Sequence, residues 1–342
     1  MANWKKTALD EVHRAVYEEE LKSWLPDRIL DFHVHVFHEQ TIPAGGEGFA
    51  LPGVSLRSYT IPELQSDLEA VYPGKETAAV VFGFPDAAYD FEENNRYVAE
   101  NSDCGRVFPF RLVRPDEDPE ALDRDLRNGN FLGVKPYLCY VQGKGPEEIE
   151  ILDMIPHRLM EVIDGLGSNV MLHVPRGARL ADPVNQAQIK ELALTHKNAR
   201  IILAHIGRAY YLKNITGWIE PLQDFENLYV DTAMLNNWEV IEYLLGHFDH
   251  SRIIYGTDMP ISLCGGKSVE INDQYTYVTS EPWPLSISDD HGKLVFTSFL
   301  YEELRAVKKA GERAGVDGDF HDKFFWNNGM NLLEKAQSRR EQ

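Results

Sequence analysis

Two histidines stand one residue apart in the stretch ILDFHVHVF, residues 29–37, inside a run of otherwise apolar, β-branched and aromatic side chains. In an extended strand residues i and i+2 point the same way, so His33 and His35 share a face, together with Asp31. Two neutral imidazoles on one face are metal-binding chemistry. Further polar residues interrupt apolar runs downstream: Lys135 in FLGVKPYL, His173 in NVMLHVP, His205 in ARIILAHIG and Asp258 in RIIYGTDMP. Each sits within or at the C-terminal end of its run, where a polar group is costly unless it has a partner. Three nitrogens and one carboxylate match the ligand number of a divalent zinc ion, with manganese as the alternative occupant.

Elements far apart in the chain must bring these donors together. Short apolar runs recur at 29–37, 77–85, 106–113, 131–138, 169–175, 199–207, 227–235 and 252–260, and a charged segment of helical character follows each. Near-continuous apolar strands suit a parallel sheet buried on both faces, and strand–helix alternation implies βαβ crossovers. Eight such units predict an α/β protein with a closed (β/α)8 TIM barrel, whose chemistry collects at the carboxyl ends of the strands. PEALDRDLRNG (119–129) and QAQIKELALTHKN (186–198) read as amphipathic helices, with Gly129 and Asn198 at their C-terminal caps. Two connections, 38–62 after the first strand and 261–293 after the eighth, are long enough to be lids or binding loops.

The chain has 342 residues, 43% hydrophobic and 26% charged, which suits one domain made of a helical extension, 1–27, and a barrel, 28–335. In the extension Leu9, Val12, Val16, Leu21 and Trp24 fall near helical spacing, an apolar stripe that the barrel or a second copy in a homo-oligomer would cover. A net charge of −20 repels phosphate backbones and anionic lipid heads, which excludes nucleic acid and membrane surfaces as partners. Cys104, Cys139 and Cys264 form no CxxC pair, which points to a reducing, cytoplasmic setting. The N-terminus lacks the unbroken apolar core of a signal peptide, and no apolar run reaches the length of a membrane span.

The order DFHVH, Lys135, LHVP, AHIG and YGTDMP, closed by FFWNNGMNLLE, resembles the amidohydrolase superfamily over about residues 28–335. More narrowly it is similar to the amidohydrolase-related branch that holds lactonases and the decarboxylases of the aminocarboxymuconate-semialdehyde and resorcylate type. The resemblance implies that His33, His35 and His173 ligate one divalent metal. Asp258 would bind it and take a proton from its water, and His205 would polarise or handle protons beside it. A carboxylated Lys135 would bridge a second metal; the narrower branch favours one metal, with Lys135 as a cation for substrate. Arg176 in HVPRG and Arg208 in HIGRAY follow the ligands directly, and guanidinium forks grip carboxylates, so a small anionic substrate is expected. Arg111 and Arg114 read as weaker candidates, and Tyr137, Tyr210 and Trp283 as flanks for a small ring or sugar acid.

Two reactions fit these residues: hydrolysis of a lactone or amide of a carboxylic or sugar acid, and non-oxidative decarboxylation. Hydrolysis is the leading expectation, since hydrolases dominate the wider superfamily. A non-catalytic metal-binding barrel is a third reading, which the intact Asp258 disfavours.

Overall fold

Apolar strands followed by amphipathic helices close into a barrel that buries both faces of every strand and leaves no sheet edge. The computed structural model describes residues 4–289 and 291–340. Its eight parallel strands are β1 (Arg28–Val36), β2 (Glu76–Gly83), β3 (Val107–Val113), β4 (Gly133–Pro136), β5 (Asn169–Leu172), β6 (Arg200–Leu203), β7 (Leu228–Asp231) and β8 (Ile253–Ile254), one in each apolar run and adjacent in chain order. The seam from β8 to β1 closes through the segment after β8. The Phe32 amide donates to the Tyr255 carbonyl at 3.0 Å, the Asp258 amide to His33 at 2.8 Å and the His35 amide to Met259 at 2.9 Å.

Leu30, Phe32, Val80, Phe82, Phe108, Phe110, Met171 and Ile202 fill the barrel interior, with Phe32 edge-on to Phe110 at 5.7 Å. Leu332, Leu333 and Ala336 of the final helix, Asn328–Arg340, plug it from the amino end. Within β1 the pairing with β2 slips between Asp31 and Val34. Such an irregularity resets the alternation of the strand. Leu30 and Phe32 therefore point inward in the lower half, while His33 and His35 meet the interior ring of Phe82 in the upper half. Asp31 does not share their face, contrary to the simple alternation expected above. It reaches sideways to the seam, accepting from the Thr257 amide at 2.9 Å and the His33 amide at 3.1 Å.

The N-terminal extension is helical over Glu11–Val16 and continues through one wider turn, Tyr17–Leu21. Its buried stripe is His13, Tyr17, Leu21 and Leu25, each four residues from the last, while Leu9 is 70% and Val12 43% exposed. The apolar stripe expected from Leu9 and Val12 is thus misplaced, because Tyr17 packs inward and its hydroxyl donates to the Pro73 carbonyl at 2.7 Å. The barrel covers this face itself: Lys308 donates to the Glu20 carbonyl at 2.7 Å and Arg305 pairs with the Glu20 carboxylate. Leu21→Ala should cost about 2–5 kcal/mol in urea unfolding, whereas Leu9→Ala should stay within about 0.5 kcal/mol. Equal effects of the two would contradict this packing.

The helix Pro119–Asn128 ends at Gly129 as expected. The helix Pro183–Thr195 starts three residues before the expected 186, because the Asp182 side chain caps the amides of Val184 and Asn185. It stops at Thr195, and Asn198 is no cap but donates its amide to Asp164 at 2.7 Å. Both long connections fold at the carboxyl rim. The first forms a hairpin, Phe49–Leu51 with Val54–Leu56, and the second a small sheet of Gly266–Glu270, Tyr275–Thr279 and Ser286–Ser288. They touch where the Trp283 indole donates to the Ala50 carbonyl at 3.1 Å. No helix among the described residues is long and apolar enough to cross a membrane.

Candidate metal centre

The carboxyl ends of five strands deliver the predicted residues to one region. β1 supplies His33 and His35, β4 supplies Lys135, and the turns after β5, β6 and β8 supply His173, His205 and Asp258. Two of these turns hold unusual backbone. Residues 205–208 all have positive φ, with Ile206 at 53° and Arg208 at 64°, and Asp258 lies at 65°. A β-branched residue is rarely found in that region, and such conformations persist only where the surroundings enforce them. Gly256 makes close approach possible, since a Cβ there would fall 2.8 Å from the His33 Cβ.

Three imidazoles are oriented by their rear nitrogens. His33 Nδ1 faces Asp231 Oδ2 at 2.9 Å, His205 Nδ1 faces the Ala233 carbonyl at 2.9 Å, and His35 Nδ1 lies 3.4 Å from the Gly83 carbonyl. Carbonyls and ionised carboxylates only accept, so each Nδ1 carries the proton and each Nε2 presents a lone pair. Those three Nε2 atoms converge on Asp258, with His35 at 3.2 Å, His33 at 3.5 Å and His205 at 4.0 Å. Burial favours the neutral form of two of these rings: it lowers His33 well below the ordinary histidine value and His205 to about 4. Burial opposes ionisation of Asp258, but the imidazoles of His35, His33 and His205 packed around it outweigh that and hold the carboxyl well below the usual range. Its side chain is still 19% exposed, so the centre meets solvent there.

Two sets of ligand atoms lie within 4.8 Å of one another, His33/His35/Asp258 and His33/His205/Asp231. The second is already internally bonded: Asp231 Oδ2 faces His33 Nδ1, and Oδ1 accepts from the amides of His205 and Ala233. In the first set the Nε2 atoms and the carboxylate face one another, with Lys135 Nζ 3.3 Å from that of His33, and imidazoles beside a carboxylate fit a divalent cation. His173 belongs to neither set. Its ring stands edge-on to His205 at 5.4 Å and lies 4.6 Å from Tyr137. Lys135 is wholly buried, 3.3 Å from His33 Nε2 and over the Phe82 ring, and burial lowers its amine to about 8 against the fields of Asp231 and Asp258.

The expected substrate cations differ in their surroundings. Arg208 donates to the Val174 carbonyl at 3.1 Å and its field acts on both His173 and Tyr137. Arg176 is occupied elsewhere, by Asp182 at 2.9 Å and the Glu147 carbonyl at 2.8 Å. Arg111 is a buried strut between Glu117 and Asp125, and Arg114 lies over the Phe91 ring at 4.0 Å. Tyr210 stands 6.0 Å from the His205 ring, and Trp283 joins the two long connections. Asp231 escaped the sequence reading, although it stands at the end of the apolar run NLYVDTAML as the other site residues do in theirs.

Comparisons with known proteins agree with this architecture. Solved structures of similar fold include a proposed 2-pyrone-4,6-dicarboxylic acid hydrolase from Pseudomonas putida, 16% identical with a TM-score of 0.57 over 91% of this chain and 99% of that one. They also include 4-oxalomesaconate hydratase from Rhodopseudomonas palustris, 17% identical with a TM-score of 0.53 over 91% and 97%. A third is 2,6-dihydroxybenzoate decarboxylase from Rhizobium, 14% identical with a TM-score of 0.51 over 91% and 99%. At these identities the likeness concerns the fold. No match is found among the curated proteins. The family model, in contrast, aligns with residues 30–277, from β1 into the small rim sheet and through every residue of the centre. By that match, and by the ordered donors it contains, the chain belongs to the amidohydrolase family.

Proposed function

We propose that this chain is a metal-dependent hydrolase that opens a lactone or amide of a small carboxylic or sugar acid. The observation that carries the reading is the convergence of three Nε2 lone pairs on the ionised, partly exposed Asp258. His33, His35 and Asp258 would hold one divalent cation, zinc or manganese, with His173 as a further donor on the β5 side. Such an ion lowers the pKa of bound water from 15.7 to about 7, which makes a nucleophile available at neutral pH. Asp258 would accept a proton from the attacking water and hand it to the leaving group. His205, its Nδ1 proton committed to Ala233, keeps its Nε2 free to accept a proton beside Asp258. Arg208 and Tyr137 line the side where an anionic group of the substrate would rest, and Lys135 adds a cation below it. The contact of Lys135 with His33 and Phe82 favours one metal over a bridged pair.

Metal analysis of the purified protein should find close to one equivalent of zinc or manganese; a folded, active, metal-free preparation would contradict the proposal. A panel of sugar-acid lactones and aromatic carboxylates, followed by product analysis, then separates the chemistries. Ring opening without gas is the expected result. Carbon dioxide release without ring opening would transfer the site to the decarboxylase reading, which the aromatic flanks Tyr137 and Tyr210 also suit. Gly256→Ala provides an independent check. The new methyl would collide with His33, so metal affinity should fall roughly 10–100-fold while circular dichroism stays that of a folded barrel. Unaltered affinity would mean that His33 is not a ligand.

A further inference from the structure

A cation on the same rim is left without a partner. Arg179, in the turn after β5, lays its guanidinium 4.4 Å from the centre of the Tyr275 ring and 5.3 Å from that of Tyr210. Those two rings stack on each other at 4.6 Å, and Tyr210 in turn faces the His205 ring at 6.0 Å. The three residues come from three different segments: the β5 turn, the β6 turn and the small sheet of the last long connection. Nε and Nη1 of Arg179 are buried and donate to nothing, and no carboxylate pairs with this arginine among the described residues. Its neighbour Arg176 shows what a structural arginine in this turn does, since Asp182 and Glu147 take up its donors.

The position is also held at a cost. Arg179 has φ of 58°, and its carbonyl is pinned by the Asn185 side chain at 2.8 Å and the Asp182 amide at 3.0 Å. Backbone strain together with buried, unpaired N–H groups is destabilising unless a ligand completes the arrangement. Guanidinium forks are completed best by a carboxylate, which accepts two parallel bonds. Arg208 also lies near Tyr210, and the fields of both arginines act on that phenol against the upward push of burial.

We propose that Arg179 anchors a second anionic group of the substrate, so that the site takes a dianion with one charge at Arg208 and the other at Arg179. The inference rests on the reading of the rim as a substrate site and narrows its substrate class to molecules carrying two carboxylates or a carboxylate and another oxyanion. The stacked tyrosines beside Arg179 provide a flat wall for the body of such a molecule.

Isothermal titration of the metal-loaded protein with benzoate and with isophthalate tests this directly. Wild type should bind isophthalate more tightly by roughly 10–100-fold, the value of one charge-assisted fork. Arg179→Met, which keeps the length and the contact with the rings, should abolish that preference while benzoate binding changes less than about twofold. Arg179→Lys keeps the cation without the fork and should retain part of the preference; it decides the matter if the Met variant does not fold. Equal affinity of wild type for the two probes, no binding of either at millimolar concentration, or an undiminished preference in the variants would each overturn the proposal. The outcome is independent of the reaction assignment. A dianion preference lost in Arg179→Met from a protein that hydrolyses nothing would support Arg179 and sink the hydrolase reading, whereas a hydrolase indifferent to the second charge would do the reverse.

Discussion

Asp258→Asn should lower kcat by about 10³–10⁴-fold on whichever member of the substrate panel the wild type turns over, at the upper end of what a positioned acid–base group contributes. Asp258 is the carboxylate on which the Nε2 atoms of His33, His35 and His205 converge, and the neighbouring rings hold it ionised. An asparagine of the same shape neither takes a proton nor returns one. Its amide would instead donate to His35 Nε2, 3.2 Å away, and occupy a lone pair the site needs. Stability should change little, because the backbone bond that fixes this turn, from the Asp258 amide to the His33 carbonyl, does not involve the carboxylate. Steady-state kinetics beside a thermal melt separates these effects. An Asn variant that keeps a tenth of wild-type kcat would remove Asp258 from the chemistry.

Much of this arrangement is visible in the chain because barrel strands are buried on both faces. A strand with no solvent side cannot hide a charged residue in an exposed row, so Lys135, His173, His205 and Asp258 interrupt their runs conspicuously. The same reasoning fails where partners lie far off in sequence. Arg176 looks free beside His173, yet Asp182, six residues on and across a turn, neutralises it. Arg179 pairs with no carboxylate among the described residues, and only the stacking of Tyr275 from nearly a hundred residues away reveals its position. The histidine pair was placed by alternation, but the slip at Asp31 decides which half of β1 faces inward, and a slip leaves no mark in residue types. In the N-terminal extension the buried stripe includes His13 and Tyr17, a titratable and a phenolic residue that an apolar pattern passes over.

Asp231 is the clearest case of a residue that only the structure explains, and Asp231→Asn is expected to strip the centre of metal without unfolding the barrel. Its carboxylate is wholly buried at the end of β7, where Oδ2 accepts from His33 Nδ1 and Oδ1 from the amides of His205 and Ala233. That one group fixes the tautomer of a proposed ligand and the start of the strained turn carrying another site histidine. An asparagine cannot satisfy both sides. If its oxygen keeps the two amides, its amide faces His33 Nδ1, and the ring must move its proton to Nε2, into the space where the cation would sit. If it turns over, its amide opposes two backbone N–H groups that are then buried without acceptors, at about 1–3 kcal/mol each. Either way metal affinity should fall about 10–100-fold, the usual effect of losing a carboxylate behind a ligating histidine. Asp231→Ala removes all three acceptor contacts together and should add a loss of roughly 3–6 kcal/mol in unfolding free energy. Competition with a chelator of known affinity measures the first effect and denaturant titration the second. An Asn variant that holds metal as tightly as wild type would show that His33 reaches its orientation without Asp231, and would leave the convergence on Asp258 without its support.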